Sequence, residues 1–175
     1  QKGRIHIFDR SWYRRVITEQ MDQPMSQKKL ASSYQQILSF EEQLAADGTL
    51  IIKFFLHISA DEQEKRLKKL ERSPETRWRV TKADWKHFKQ YKGYFPMYDY
   101  MLEQTDMAWA PWHVIEAMDR EYAALKVMAV AAKMMEERLR EMDRVKQSEK
   151  EAEKASDVSL DFQETVRTSV LDGVD

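Results

Sequence analysis

Ile5-His6-Ile7-Phe8-Asp9-Arg10-Ser11-Trp12-Tyr13-Arg14-Arg15-Val16 is the stretch that decides how this 175-residue chain is read. Its apolar run predicts a buried strand over residues 4–8 that stops at Asp-Arg-Ser, and a helix over 11 to about 21, with Trp12, Val16 and Ile17 inward. An acidic side chain at the carboxyl end of a buried strand is a place where phosphoryl-transfer proteins hold Mg2+. A neighbouring arginine can then reach the phosphates that the metal bridges. Such chemistry asks for positioning and charge neutralisation more than for covalent help. The bare pattern leaves two readings for Asp9, a metal-binding carboxylate or a helix N-cap.

Outward from this stretch, strands and helices alternate. A helix is predicted from 27 to about 46, with Leu30, Tyr34, Ile37, Leu38, Glu41 and Leu44 at helical spacing and Asp47-Gly48 as its stop. Residues 49–58 are almost continuously apolar, the pattern of a strand covered on both faces. Ser59-Ala60-Asp61-Glu62 is a capping box, opening a helix to about residue 72 that Ser73-Pro74 ends. Thr81-Lys82-Ala83-Asp84 repeats that logic. Residues 105–110 read as loop, 112–116 as a short strand, and a long helix begins near Asp119. It turns highly charged after Glu136, and 156–175 lack periodicity, as a linker does. The alternation indicates an α/β fold with a parallel sheet.

A formal charge of −1 gives no global electrostatic case for nucleic acid or membrane binding, and no apolar run is long enough to cross a bilayer. The chain has no cysteine, which removes disulfides and thiol chemistry and fits a cytoplasmic setting. His6, His57, His87 and His113 show no zinc spacing, and His6 and His57 fall inside predicted strands as packed or hydrogen-bonded residues. Ser11 lacks the G-x-S-x-G context of a nucleophile. The aromatic group from Trp78 to Tyr100 reads as packing, with base stacking as the alternative.

Asp9-Arg10-Ser11-Trp12-Tyr13-x-Arg15-Val16 resembles the second, Walker B-type motif of the family-2 polyphosphate kinases. Phe40-Glu41, Lys53-Phe54-Phe55-Leu56-His57-Ile58, Ser59 to Gln63, Trp78-Arg79-Val80-Thr81 with Asp84-Trp85, and Met101 to Thr105 before Ala110-Pro111-Trp112 follow in that family's order. The resemblance covers roughly residues 3–135 and looks closest to the N-terminal half of two-domain polyphosphate:AMP phosphotransferases. It implies a P-loop-kinase-like three-layer α/β/α fold with a parallel sheet and a helical lid over about 60–95. It implies a domain over 1–145, with 146–175 leading to a second, homologous domain in the same polypeptide, and a homo-oligomer. No G-x-x-x-x-G-K-[ST] loop occurs in the 175 residues, so the resemblance reads the chain as N-terminally truncated and, alone, inactive.

The implied activity is Mg2+-dependent transfer of a phosphoryl group from inorganic polyphosphate to a nucleotide, AMP giving ADP. The implied catalytic residues are Asp9, also the metal ligand, and Arg10, with Arg15, Arg66 and Arg79 on phosphate. Glu19 and Glu41 match acidic family positions, open between nucleotide or metal contact and an ion pair. The lid departs from the family pattern at Leu70, where a second arginine is typical, at Thr76, where a lysine is, and at His87-Phe88, where Asn-Arg is. Those losses of positive charge imply an alternative: a catalytically degenerate half that serves dimerisation or guides polyphosphate for a second, active domain.

Overall fold

A computed structural model describes residues 3–171, with side chains to residue 152. The chain divides into two compact units, residues 1–129 and 130–175. In the first unit a 3-10 turn, Trp12–Arg15, leads to helix α1 (Thr18–Asp22), helix α2 (Gln27–Ala46), strand β1 (Lys53–His57) and helix α3 (Ala60–Arg72). A second 3-10 turn, Arg77–Arg79, helix α4 (Lys82–Lys89), helix α5 (Tyr91–Thr105) and strand β2 (Trp112–Glu116) follow, and helix α6 (Arg120–Leu171) begins in this unit.

Local chemistry accounts for the boundaries. The Ser26 hydroxyl accepts from the Lys29 N–H at the start of α2, and Gly48 at its end takes φ +86°, which a side chain would resist. Thr81 and Asp84 form the complete capping box of α4. At α3 only half of the predicted box forms. Ser59 accepts from the Glu62 N–H, but the Glu62 carboxylate turns to Arg66 at 2.7 Å instead of returning to the cap.

Strands β1 and β2 pair in parallel, with Lys53 beside Trp112, Phe55 beside Val114 and Leu56 beside Ile115. Alternation then divides the side chains between two faces. Phe55 and Trp112 pack on the larger core, built from Tyr13, Val16, Ile17, Tyr34, Ile37, Tyr94 and Met101. Phe54 and Ile115 pack with Ile58, Ala117, Ala123 and Val127, so the opposite face is covered by the opening turns of α6.

Three sequence expectations are corrected. Residues 4–8 are not a buried strand: Ile5, Ile7 and Phe8 are 76, 94 and 63% exposed, and His6 is exposed with them. A strand needs a neighbour to take its N–H and C=O groups, and among the described residues β1 and β2 pair only with each other. The helix expected over 11–21 is divided into the 3-10 turn, Trp12–Arg15, and α1, which starts at Thr18, with the buried, β-branched Val16 and Ile17 between them. The unpatterned stretch from 156 is helical to Leu171, because α6 runs on without a break; residues 172–175 lie outside the described residues.

Candidate functional site

Ser11 stands at φ 39°, ψ −151° and Arg10 at φ 62°, the only non-glycine residues with positive φ among those described. Such conformations store strain and persist only where the surroundings over-determine them, which is common at functional sites. Two consecutive aromatic residues follow this turn and are firmly engaged. Trp12 donates its indole N–H to Glu41 Oε1 at 2.9 Å and meets Phe40 edge-on at 5.1 Å and Phe8 at 5.4 Å. Tyr13, buried, packs against the Trp112 ring at 4.9 Å.

Beneath them lies a charged cluster that is itself buried. The Lys53 ammonium, on β1, donates to Glu41 Oε2 at 2.9 Å, to the Thr105 carbonyl at 2.6 Å and to the Tyr13 hydroxyl at 3.3 Å. Glu41 is fully buried and Lys53 nearly so. Trp112 Nε1 donates to the Thr105 hydroxyl at 2.9 Å, and that hydroxyl donates to the Met101 carbonyl at 2.7 Å. Burial pushes the Lys53 pKa down from its ordinary value, against the opposing pull of Glu41, and pushes the Tyr13 phenol up. The Tyr34 phenol is pushed up to about 12, first by burial and then by Tyr100.

The candidate residues of the sequence reading lie outside this cluster. Asp9 is exposed, and its carboxylate has no hydrogen bond or ion pair among the described residues. Arg10 is exposed beside α4 and α5, close enough for its charge to act on Asp84, Tyr94 and Tyr98. Arg15 is exposed on the first 3-10 turn. Arg79 is exposed on the second, its guanidinium unengaged among the described residues. Arg66 is placed differently: its Nε donates to Glu62 at 2.7 Å, and its Nη2 donates to the Ala117 and Met118 carbonyls at 2.7 and 2.8 Å. It therefore clasps the loop that leaves β2.

Two lid departures have local partners. Thr76 donates to the Leu70 carbonyl at 2.8 Å, closing the end of α3. His87 and Lys86 both reach Asp22, at 3.1 and 2.7 Å, tying α4 to the end of α1. Most of the lid aromatics pack against one another, as in the Trp85–Phe88, Tyr91–Phe95 and Tyr94–Tyr98 pairs, and the Tyr91 hydroxyl donates to the Ile58 carbonyl at 2.7 Å. Trp78 is the exception, at 76% exposure.

The sequence reading left Glu41 open and missed Tyr13, Lys53, Thr105 and Trp112 as parts of one site. A signal existed: a lysine inside an otherwise apolar strand needs a buried partner, and Glu41 lies on the inward face of α2. The stretches around Trp12-Tyr13, Phe40-Glu41, Lys53 and Thr105 to Trp112 meet in this cluster, although about a hundred residues separate its ends.

A family model described as polyphosphate kinase 2 matches residues 1–143. A polyphosphate:AMP phosphotransferase of Pseudomonas syringae pv. tomato is 35% identical over 135 residues, which are 77% of this chain and 27% of that protein. An ADP-polyphosphate phosphotransferase of Rhodopseudomonas palustris is 33% identical, covering 78% of this chain and 51% of its own length. The crystal structure of polyphosphate kinase 2 from Arthrobacter aurescens superposes with a TM-score of 0.70 at 31% identity, over 75% of this chain and 47% of that one. The chain thus spans between about a quarter and a half of the length of these relatives.

Proposed function

The chain belongs to the polyphosphate kinase 2 family, and on that premise we propose that it serves phosphoryl transfer from inorganic polyphosphate to a nucleotide, AMP giving ADP. One observation carries the reading: a strained turn presents an unpaired carboxylate and an adjacent guanidinium, and is anchored through the next two residues to a buried charged cluster. Strain maintained beside two exposed charges supports the reading, because such strain clusters at ligand-binding and catalytic sites.

The donor set fits Mg2+, which is commonly held by one or two carboxylates and completed by water and substrate phosphates. Asp9 offers one such carboxylate, and no group of three or more His, Cys, Asp or Glu that could cage a metal occurs among the described residues. When bound, Mg2+ supplies charge neutralisation on the phosphates. Asp9 would hold the ion. The Arg10 and Arg15 guanidinium groups would bind and orient phosphate oxygens, for which their planar fork is suited, and Arg79 would do so from the second 3-10 turn. Arg66, with two donors already on carbonyls, would act on phosphate mainly by fixing the loop after β2.

We take residues 1–145 as a P-loop-kinase-like α/β/α domain with a helical lid, and 146–175 as leading to a second, homologous domain in a cytoplasmic homo-oligomer. The relatives' greater length supports a further domain. The binding of Arg66 to carbonyls, and of His87 to Asp22, favours a second reading in which this half guides polyphosphate or supports the dimer while another half reacts. The test is polyphosphate-dependent formation of ADP from AMP by the full-length protein with Mg2+. The Asp9→Asn variant distinguishes the two readings, since only the first requires that carboxylate.

A further inference from the structure

Lys53, Glu41, Trp12, Tyr13, Thr105 and Trp112 form a closed polar set. The three N–H bonds of Lys53 each have an acceptor, both Glu41 oxygens have a donor, and the Thr105 hydroxyl both accepts and donates. The ammonium also lies 5.1 Å from the Trp112 ring centroid and 5.7 Å from that of Tyr13. Stability alone does not explain such an arrangement, because apolar side chains of similar volume serve a core as well as a buried ion pair or better.

Directional bonds do what apolar contacts do not: they fix orientation. Trp12 and Tyr13 are consecutive, yet one is bonded to α2 through Glu41 and the other to β1 through Lys53. With both side chains held, the backbone at 12–13 has one course. The chain arriving from Asp9 joins it through the left-handed conformation at Arg10 and the unusual one at Ser11. We propose that Glu41 and Lys53 are positioning residues for the Asp9-Arg10-Ser11 turn, holding it in its strained form through Trp12 and Tyr13. This rests on the reading that the turn handles phosphate, but the holding itself is a property of the unliganded chain.

Amide hydrogen exchange, resolved by peptide mass spectrometry on the full-length protein, tests it in the wild type and in Trp12→Phe, Glu41→Gln and Lys53→Met. Trp12→Phe removes the indole donor and keeps an aromatic ring, so it reports even where a change in the ion pair prevents folding. The expected result is exchange at residues 14–17, where the Arg14 amide bonds to the Arg10 carbonyl and those of Val16 and Ile17 to the Tyr13 carbonyl, faster by about tenfold, the size of losing one hydrogen bond to a charged group, with α2 and α5 little changed. In the full-length protein the same variants lower kcat by about tenfold and leave KM for AMP nearly unchanged, as for loss of orientation rather than of binding. Exchange unchanged at 14–17, or rising equally through α2 and α5, overturns the proposal, as does faster exchange with an unaltered kcat. Absence of transfer by the full-length wild type would remove the function and leave the exchange result to decide the positioning.

Discussion

Ser11 is where the backbone departs furthest from what its side chain prefers. Backbone strain of this kind costs about 1–3 kcal/mol per residue, and glycine removes most of it. Ser11→Gly should therefore raise the thermal midpoint, by the equivalent of about 1 kcal/mol after the entropy glycine adds to the unfolded chain, while Ser11→Val should lower it. A fall for Ser11→Gly would show that the turn is unstrained. Glu41 gives the opposite case. Its carboxylate is fully buried against Lys53, so Glu41→Ala leaves an unpaired buried ammonium and should destabilise by about 3–5 kcal/mol in chemical denaturation. A loss below about 1 kcal/mol would mean that water reaches Lys53 freely.

Between elements, the contact of α4 with the end of α1 is one whose strength depends on pH. Asp22 is held below its ordinary carboxylate pKa of 3.8, first by the hydrogen bond from Lys86 and then by that from His87. A depressed native pKa stabilises the fold fully above the unfolded value and loses that contribution as pH falls through the native value. Wild type and Asp22→Asn should therefore differ in thermal midpoint above pH 3.8 and converge as pH falls below it; divergence on acidification would contradict the assignment. At this scale the sequence was most legible. The bounds of α2, α3 and β2 follow from Ser26, Ser59, Gly48 and the apolar pattern, all of which act within a few residues. Residues 4–8 were misread because an apolar run specifies only the wish to be covered, and the neighbour that would cover it is not specified locally.

Over the whole molecule, the site was legible in its exposed half and hidden in its buried half. Asp9, Arg10, Arg15 and Arg79 have side chains whose chemistry can be read from their type and neighbours. Lys53 meets Thr105 only because β1 and the end of α5 are brought together, and no local pattern shows contacts over 52 residues. Arg66 shows the converse, since its type suggested phosphate and the fold gave it carbonyls of the loop after β2. Arg66→Met should thus lower the thermal midpoint as well as any turnover, whereas Arg79→Met should lower turnover with the midpoint unchanged; melting curves beside rates separate the two. The central claim is that the Asp9-Arg10-Ser11 turn carries phosphoryl transfer. Its most direct test is the rate of ADP formation from AMP and polyphosphate by the full-length protein with Mg2+, beside Asp9→Asn. The account predicts a fall in kcat on the order of 10²-fold or more at an unchanged melting temperature; turnover of Asp9→Asn equal to wild type would contradict it and assign the chemistry elsewhere.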